Sequence, residues 1–190
     1  MSAYPDPKAD GLPEPQAFGD SLTADHKVLN DDNKSRDEDR QALVILDRYT
    51  KWLQSYPVKD KTHKEVIASF NRFLPPQMRP HHVYTDNSGE LKKAFEEKGW
   101  AADTSVPHRS ETNGQAESAV RKVKEGTSSA LVQSGFLESW WGEAMACYCF
   151  LRNVYDKLEN HKAPYEIRFG EPFSGPIIHF GAQISYKPIR

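Results

Sequence analysis

The stretch HVYTDNSGE (82–90) runs from an apolar strand pattern straight into an acid, Asp86, and then into turn-forming residues. Val83 and Tyr84 favour a pleated, half-buried strand. Asn87, Ser88 and Gly89 favour a tight turn, and Glu90–Lys98 reads as a brief helix. A strand that delivers a carboxylate to its end and then turns into a helix is a unit of an open α/β sheet. Functional groups in such sheets gather beyond the strand ends.

The flanks supply the rest of the sheet. Upstream, Gly19 to Leu29 is extended, with Leu22, Ala24 and Val28 at alternate positions. The charged stretch NDDNKSRDEDR (30–40) is predicted to be an exposed hairpin loop. ALVILD (42–47) is a continuous apolar run of strand length, as expected of a buried central strand. A turn at Asp47–Lys51 leads to a further strand, WLQSYPV (52–58), with Trp52, Gln54 and Tyr56 alternating. Thr62 with Glu65 three residues on forms a capping box. It precedes a helical stripe of Val66, Ile67, Phe70, Phe73 and Leu74 that Pro75–Pro76 stops.

Downstream, Ala102–Val106 is a short strand. PHRSETNGQAES (107–118) is then a loop opening into a helix from Gln115, whose first turn carries Glu117. The apolar stripe Ala116, Ala119, Val120, Val123, Ala130 and Leu131 continues that helix. Gly126 interrupts it at a cost of roughly 1 kcal/mol, and Gly135 is placed to cap it. A last helix after Ser139 buries Trp141, Ala144, Met145, Tyr148 and Leu151. Three strands, helix, strand, helix, strand and two longer helices predict a layered α/β domain with a mixed sheet.

Composition agrees with a globular domain: 190 residues, 37% hydrophobic and 27% charged. No run of about 18 apolar residues is present, so no membrane span is expected. Met1–Asp20 lacks the apolar segment of a secretory signal and reads as a flexible leader. Cys147 and Cys149, one residue apart, form neither a disulfide framework nor a zinc set. They suit a reducing intracellular compartment and are expected to be buried in the last helix. The net charge of −2 conceals a gradient, since residues 1–46 carry 10 acids against 5 bases and residues 47–190 carry 20 bases against 17 acids. That remainder is compatible with a phosphate backbone as partner.

TDNSGE and SETNGQAES resemble the second and third acidic motifs of retroviral and retrotransposon integrase cores, the D,D-E family with an RNase H-like fold. The tail segments KAPYEIRFGEP (162–172) and HFGAQISY (179–186) resemble the region that follows the core in copia-type Pol polyproteins. The likeness covers roughly residues 18–186. It divides the chain into a leader (1–17), a core (18–155) and a post-core extension (156–190), with a five-stranded mixed sheet flanked by helices.

The resemblance implies a polynucleotidyl transferase that trims DNA 3′ ends and joins them to target DNA with two Mg²⁺ or Mn²⁺ ions. Asp86 and Glu117 take the second and third acidic positions, and Asp25 in LTADHKV takes the first. Asp20 and Asp47 are its rivals, Asp47 matching the family's strand-terminal acid before an aromatic. One departure is the 30 residues between Asp86 and Glu117, fewer than the family commonly has. Three clustered carboxylates repel and raise one another's pKa, which hard cations relieve. Two such ions suit in-line phosphodiester displacement.

Arg121 and Lys124 share a helix face with Glu117 and are candidate DNA contacts, together with His108, Arg109 and Asn113 of the preceding loop. DNA is the implied partner, element ends and target alike, in a homo-oligomer without a membrane, acting in the nucleus. Plainer readings exist for each residue taken singly. Asp86 can be a turn acid, Glu117 an acid favoured by the helix dipole, and Arg121 and Lys124 a solvated face. His81 and His82 read as surface or strand-end residues, and Trp140 and Trp141 as core. Two other functions fit the same motifs: a catalytically silent, domesticated binding module, and an RNase H-like hydrolytic nuclease.

Overall fold

The computed structural model describes residues 14–28, 34–104 and 110–185. Five strands, β1 (Ser21–Val28), β2 (Gln41–Asp47), β3 (Leu53–Val58), β4 (His82–Thr85) and β5 (Ala102–Thr104), form one sheet in the order β3-β2-β1-β4-β5. β1, β2 and β3 are antiparallel neighbours, whereas β4 and β5 run parallel to β1. The helices are α1 (His63–Phe73), α2 (Gly89–Lys98), α3 (Ser110–Ser134), α4 (Trp141–Tyr155) and α5 (Pro164–Phe169). The mixed sheet is the one expected from the element order, and its five strands and flanking helices are those that the resemblance to the RNase H-like family implied.

The sheet is covered on both faces. On one, α1 and α2 bury Phe70, Phe73, Leu91 and Phe95 against Leu22, Ala24, Leu43 and Ile45. On the other, α3 and α4 bury Ala119, Val123, Trp141 and Met145 against Ala42, Val44 and Leu46. Two-sided burial explains why β2 is apolar without interruption. Thr62 caps α1, its Oγ1 accepting from the Glu65 N–H at 3.3 Å, and Gly135, at φ +70°, donates its N–H to the Leu131 carbonyl at 3.0 Å.

Gly126 has a packing reason for its place inside α3. A Cβ there would lie 2.0 Å from the Tyr148 ring, so only glycine lets α4 approach this closely. At the start of the β3 edge, Asn153 of α4 takes up the free backbone groups of Leu53. Its side chain accepts from the Leu53 N–H at 3.0 Å and donates to the Leu53 carbonyl at 2.8 Å, as a paired strand residue would.

Several expectations need correction. α3 is already helical at Ser110, so Asn113 belongs to the helix rather than to a loop, and Glu117 is its eighth residue rather than part of its first turn. β1 spans Ser21–Val28, within the stretch expected to be extended, so Asp25 lies inside the strand. Trp140 is only half-buried, in a 3-10 turn (Glu138–Trp140). Cys149 is buried, as expected, but Cys147 is partly exposed.

The segment after α4 packs on the core. Arg168 of α5 lies over Phe18 at 4.0 Å and Trp52 at 4.5 Å, and donates to the Phe73 carbonyl at 3.2 Å. No helix among the described residues is long and apolar enough to cross a membrane.

Candidate functional site

Strand register brings the first two acids together. β1 and β4 pair in parallel, and their ladder ends at Ala24 opposite Thr85. The next residues are Asp25 and Asp86, each one step past the last paired residues, where the two strands part. Asp25 does not terminate its strand; what ends there is the partnership with β4, because β1 goes on alone with β2.

Alternation sets the side. Asp25 pairs with Val44, which packs against α3, whereas Leu22 and Ala24 belong to the core beneath α1 and α2. Asp25 therefore stands on the face that α3 crosses, and α3 carries Glu117. The Asp86 carboxylate also closes the turn into α2, accepting from the Ser88 N–H at 3.3 Å.

Electrostatics ties the three together. The Asp25 carboxyl is raised to about 6, first by burial and then by the charge of Asp86, with Glu117 pushing the same way and Lys61 opposing. Like charges in a partly desolvated place favour the protonated form. No three His, Cys, Asp or Glu among the described residues converge tightly enough to make a finished metal set. The donors nevertheless fit a hard cation: all three are carboxylates. Thr23, two residues before Asp25 on its face, and Ser88, two after Asp86, hold buried hydroxyl oxygens without a hydrogen-bond partner.

The rival acids lie at the other end of the sheet and are occupied by their own chain. Asp47 pairs with Leu22, three register steps from Asp25, or about 10 Å. It accepts from the Gly19 N–H at 2.9 Å, the Thr50 N–H at 2.7 Å and the Thr50 hydroxyl at 2.6 Å. Asp20 accepts from the N–H groups of Gln16 and Ala17 at 2.8 and 2.7 Å and pairs with His81 at 2.9 Å.

Arg121 and Lys124 are exposed on α3. His108 and Arg109 lie outside the described residues, as does the side chain of Asn113. Sequence reading missed two cations. Lys27 stands two residues beyond Asp25 on the same face of β1 and shares a cleft with Lys124 and Met145; period-two alternation was the signal that could have found it. Lys61 pairs with Glu90 at 3.0 Å on the opposite face, beside the buried His26. Burial, followed by the Lys61 charge, lowers the pKa of His26 to about 4.

No family model matches the chain. It is 30% identical over 143 residues to the Retrovirus-related Pol polyprotein from transposon RE1 of Arabidopsis thaliana, a match covering 72% of this chain and 10% of that protein. The corresponding polyprotein of transposon RE2 is 29% identical over 148 residues, covering 73% and 10%. The chain thus spans about a tenth of the length of the curated relatives it matches.

Among solved structures, the HTLV-2 integrase catalytic core domain in complex with magnesium superposes with a TM-score of 0.62. It is 16% identical, and the match covers 80% of this chain and 97% of that one. A chain of the simian T-cell lymphotropic virus intasome in complex with PP2A regulatory subunit B56 gamma gives a TM-score of 0.67 at 17% identity, covering 93% of this chain and 63% of that one.

Proposed function

Homologous to plant retrotransposon Pol polyproteins and folded as an integrase catalytic core, this chain, we propose, is a metal-dependent polynucleotidyl transferase acting in DNA integration. The observation that carries the reading is the meeting of Asp25 and Asp86 where the parallel ladder ends, within electrostatic reach of Glu117 on α3.

In this reading Asp25, Asp86 and Glu117 hold two Mg²⁺ or Mn²⁺ ions. The ions supply positive charge for an in-line displacement at phosphorus. Asp25 and Asp86 take their positions from adjacent strands, which are stiffer mounts than loops. Glu117 reaches them from α3, and its side chain adjusts as repulsion is relieved. A water, or a DNA 3′-hydroxyl in the joining step, attacks the phosphorus. The P–O bond to the departing 3′ oxygen breaks, and that oxygen leaves as a hydroxyl once protonated. Lys27, Arg121 and Lys124 hold the phosphates flanking the scissile one. His108, Arg109 and Asn113 remain proposed DNA contacts. The working form is proposed to be a homo-oligomer on DNA.

The test is strand joining on labelled DNA ends in Mg²⁺. Asp86→Asn and Glu117→Gln are expected to lose joining to below detection while thermal unfolding stays unchanged or rises slightly without metal. Near-wild-type joining by either variant overturns the site. Product analysis separates the transferase from a hydrolytic nuclease, which releases ends without joining them, and from a silent module, which does neither.

A further inference from the structure

The acids, Lys27 and Lys124 occupy one flank of α3. At about 100° per residue, Lys124 projects within roughly 20° of Glu117, whereas Lys122 projects about 140° away, on the other flank. That second flank has its own concentration of positive charge. Lys122 faces Lys51 and Arg152 across a cleft of about 340 Å³. A neighbouring cleft of about 670 Å³ shares Lys122 and Arg152 and adds Tyr155, Asp156 and Lys157.

The two clefts are lined by Lys51, Lys122, Arg152 and Lys157 with Asp156 among them, and Glu166 approaches Lys157 from outside. Asp156 approaches Arg152 Nε at 3.6 Å, and Arg152 Nη1 donates to the Lys51 carbonyl at 3.3 Å, so the guanidinium is held in place along the groove. Lys122 is exposed, and Lys157 is exposed with Glu166 4.0 Å from its ammonium. A groove of this charge selects an anion.

The aromatic residue beside it narrows the choice. Tyr155, 71% exposed at the end of α4, lines the second cleft together with Lys122, Arg152 and Lys157. A ring presented among cations is the pairing that holds single-stranded nucleic acid, with phosphates on the cations and a base on the ring. An acidic peptide would use the cations and leave the ring unused.

We propose that this flank of α3 is a second nucleic-acid site. It takes an unpaired strand whose phosphates lie along Lys122, Arg152 and Lys157 and whose base stacks on Tyr155. The proposal rests on the reading that the chain handles DNA, but it uses none of the three acids.

The test therefore uses the full chain carrying Glu117→Gln, in EDTA, with a labelled single-stranded oligonucleotide, the matching duplex and poly-glutamate as probes. Lys122→Ala combined with Lys157→Ala is expected to flatten the salt dependence of single-strand binding by about 1.4 units of log–log slope. Tyr155→Ala is expected to weaken single-strand binding about tenfold or more, to leave that slope unchanged, and to affect the duplex less. The three side chains are exposed, so thermal unfolding should be unaltered, and Lys122→Arg with Lys157→Arg should restore the slope. Unchanged affinity and slope in both variants overturn the proposal. So does a loss confined to poly-glutamate, which would make the groove a protein-docking surface. Because catalysis is absent from every arm, failure of strand joining and failure of this site are read separately.

Discussion

The two ends of the β1–β4 pairing each have acids beside them, and the chain treats them in opposite ways. At one end Asp47 is wholly buried and satisfied by three donors from its own backbone and side chains, and Asp20 is held by two N–H groups and His81. At the other end Asp25 is half-buried beside two like charges, which together with burial raise its carboxyl to about 6. An acid whose lone pairs are consumed by neighbouring donors has nothing left for a ligand. One kept in repulsion stores a demand for positive charge. Hydrogen-bond saturation thus separates a structural carboxylate from an available one more sharply than strand position does.

The largest expected effect on stability tests the saturated end. Asp47→Ala should cost about 3–5 kcal/mol, because it orphans buried donors of Gly19 and Thr50. Urea denaturation measures this. A loss below about 1 kcal/mol would erase the contrast, and the folded fraction should still join strands.

The available end is expected to behave in the reverse sense. The Asp25 pKa is raised in the folded chain, so its favourable contribution is complete below its unfolded value of 3.8 and is lost as pH rises through about 6. Without metal, Asp25→Asn should therefore be more stable than wild type at pH 7.5, by about 1–2 kcal/mol after allowance for solvent screening. The difference should vanish below about pH 4. Paired melting curves in EDTA at the two pH values decide it, and a variant destabilised equally at both would place Asp25 among the structural acids. Joining in Mg²⁺ should be lost all the same.

The smallest effect sharpens the boundary of the available end. Lys27→Ala and Lys124→Ala are each expected to flatten the salt dependence of duplex binding by about one unit, equally for unrelated sequences. A sequence-selective loss would make them base contacts. An unchanged slope would return them to the solvated surface.

Much of the fold was legible because its determinants are local. The Thr62 cap, the Pro75–Pro76 stop and the strand at His82–Thr85 follow from short-range chemistry, and the structure has them where that chemistry puts them. The start of α3 was not legible. Thr112, Asn113 and Gly114 are poor helix formers, so local propensity reads them as loop. Packing of Ala116, Ala119 and Val123 on the sheet stabilises a helix that extends back through them. Glu117 thereby changed from a first-turn acid to one mounted two turns inside a helix.

The candidate site divides the same way. Asp86 and Glu117 could be singled out in sequence, because each sits in a recognisable motif of its own. Choosing among Asp20, Asp25 and Asp47 required register: the pairing of Ala24 with Thr85 sets Asp25 beside Asp86, and the pairing of Leu22 with Asp47 removes Asp47 to the far end. Lys27, Asn153 and the cationic flank of α3 belong to this second kind, since their partners are distant in sequence and meet only through sheet pairing and helix packing. The sequence by itself determined the order and type of the elements, because capping, alternation and turn chemistry act within a few residues. Only the tertiary structure decided which charges face one another, because strand register and helix rotation are set by burying two apolar faces at once.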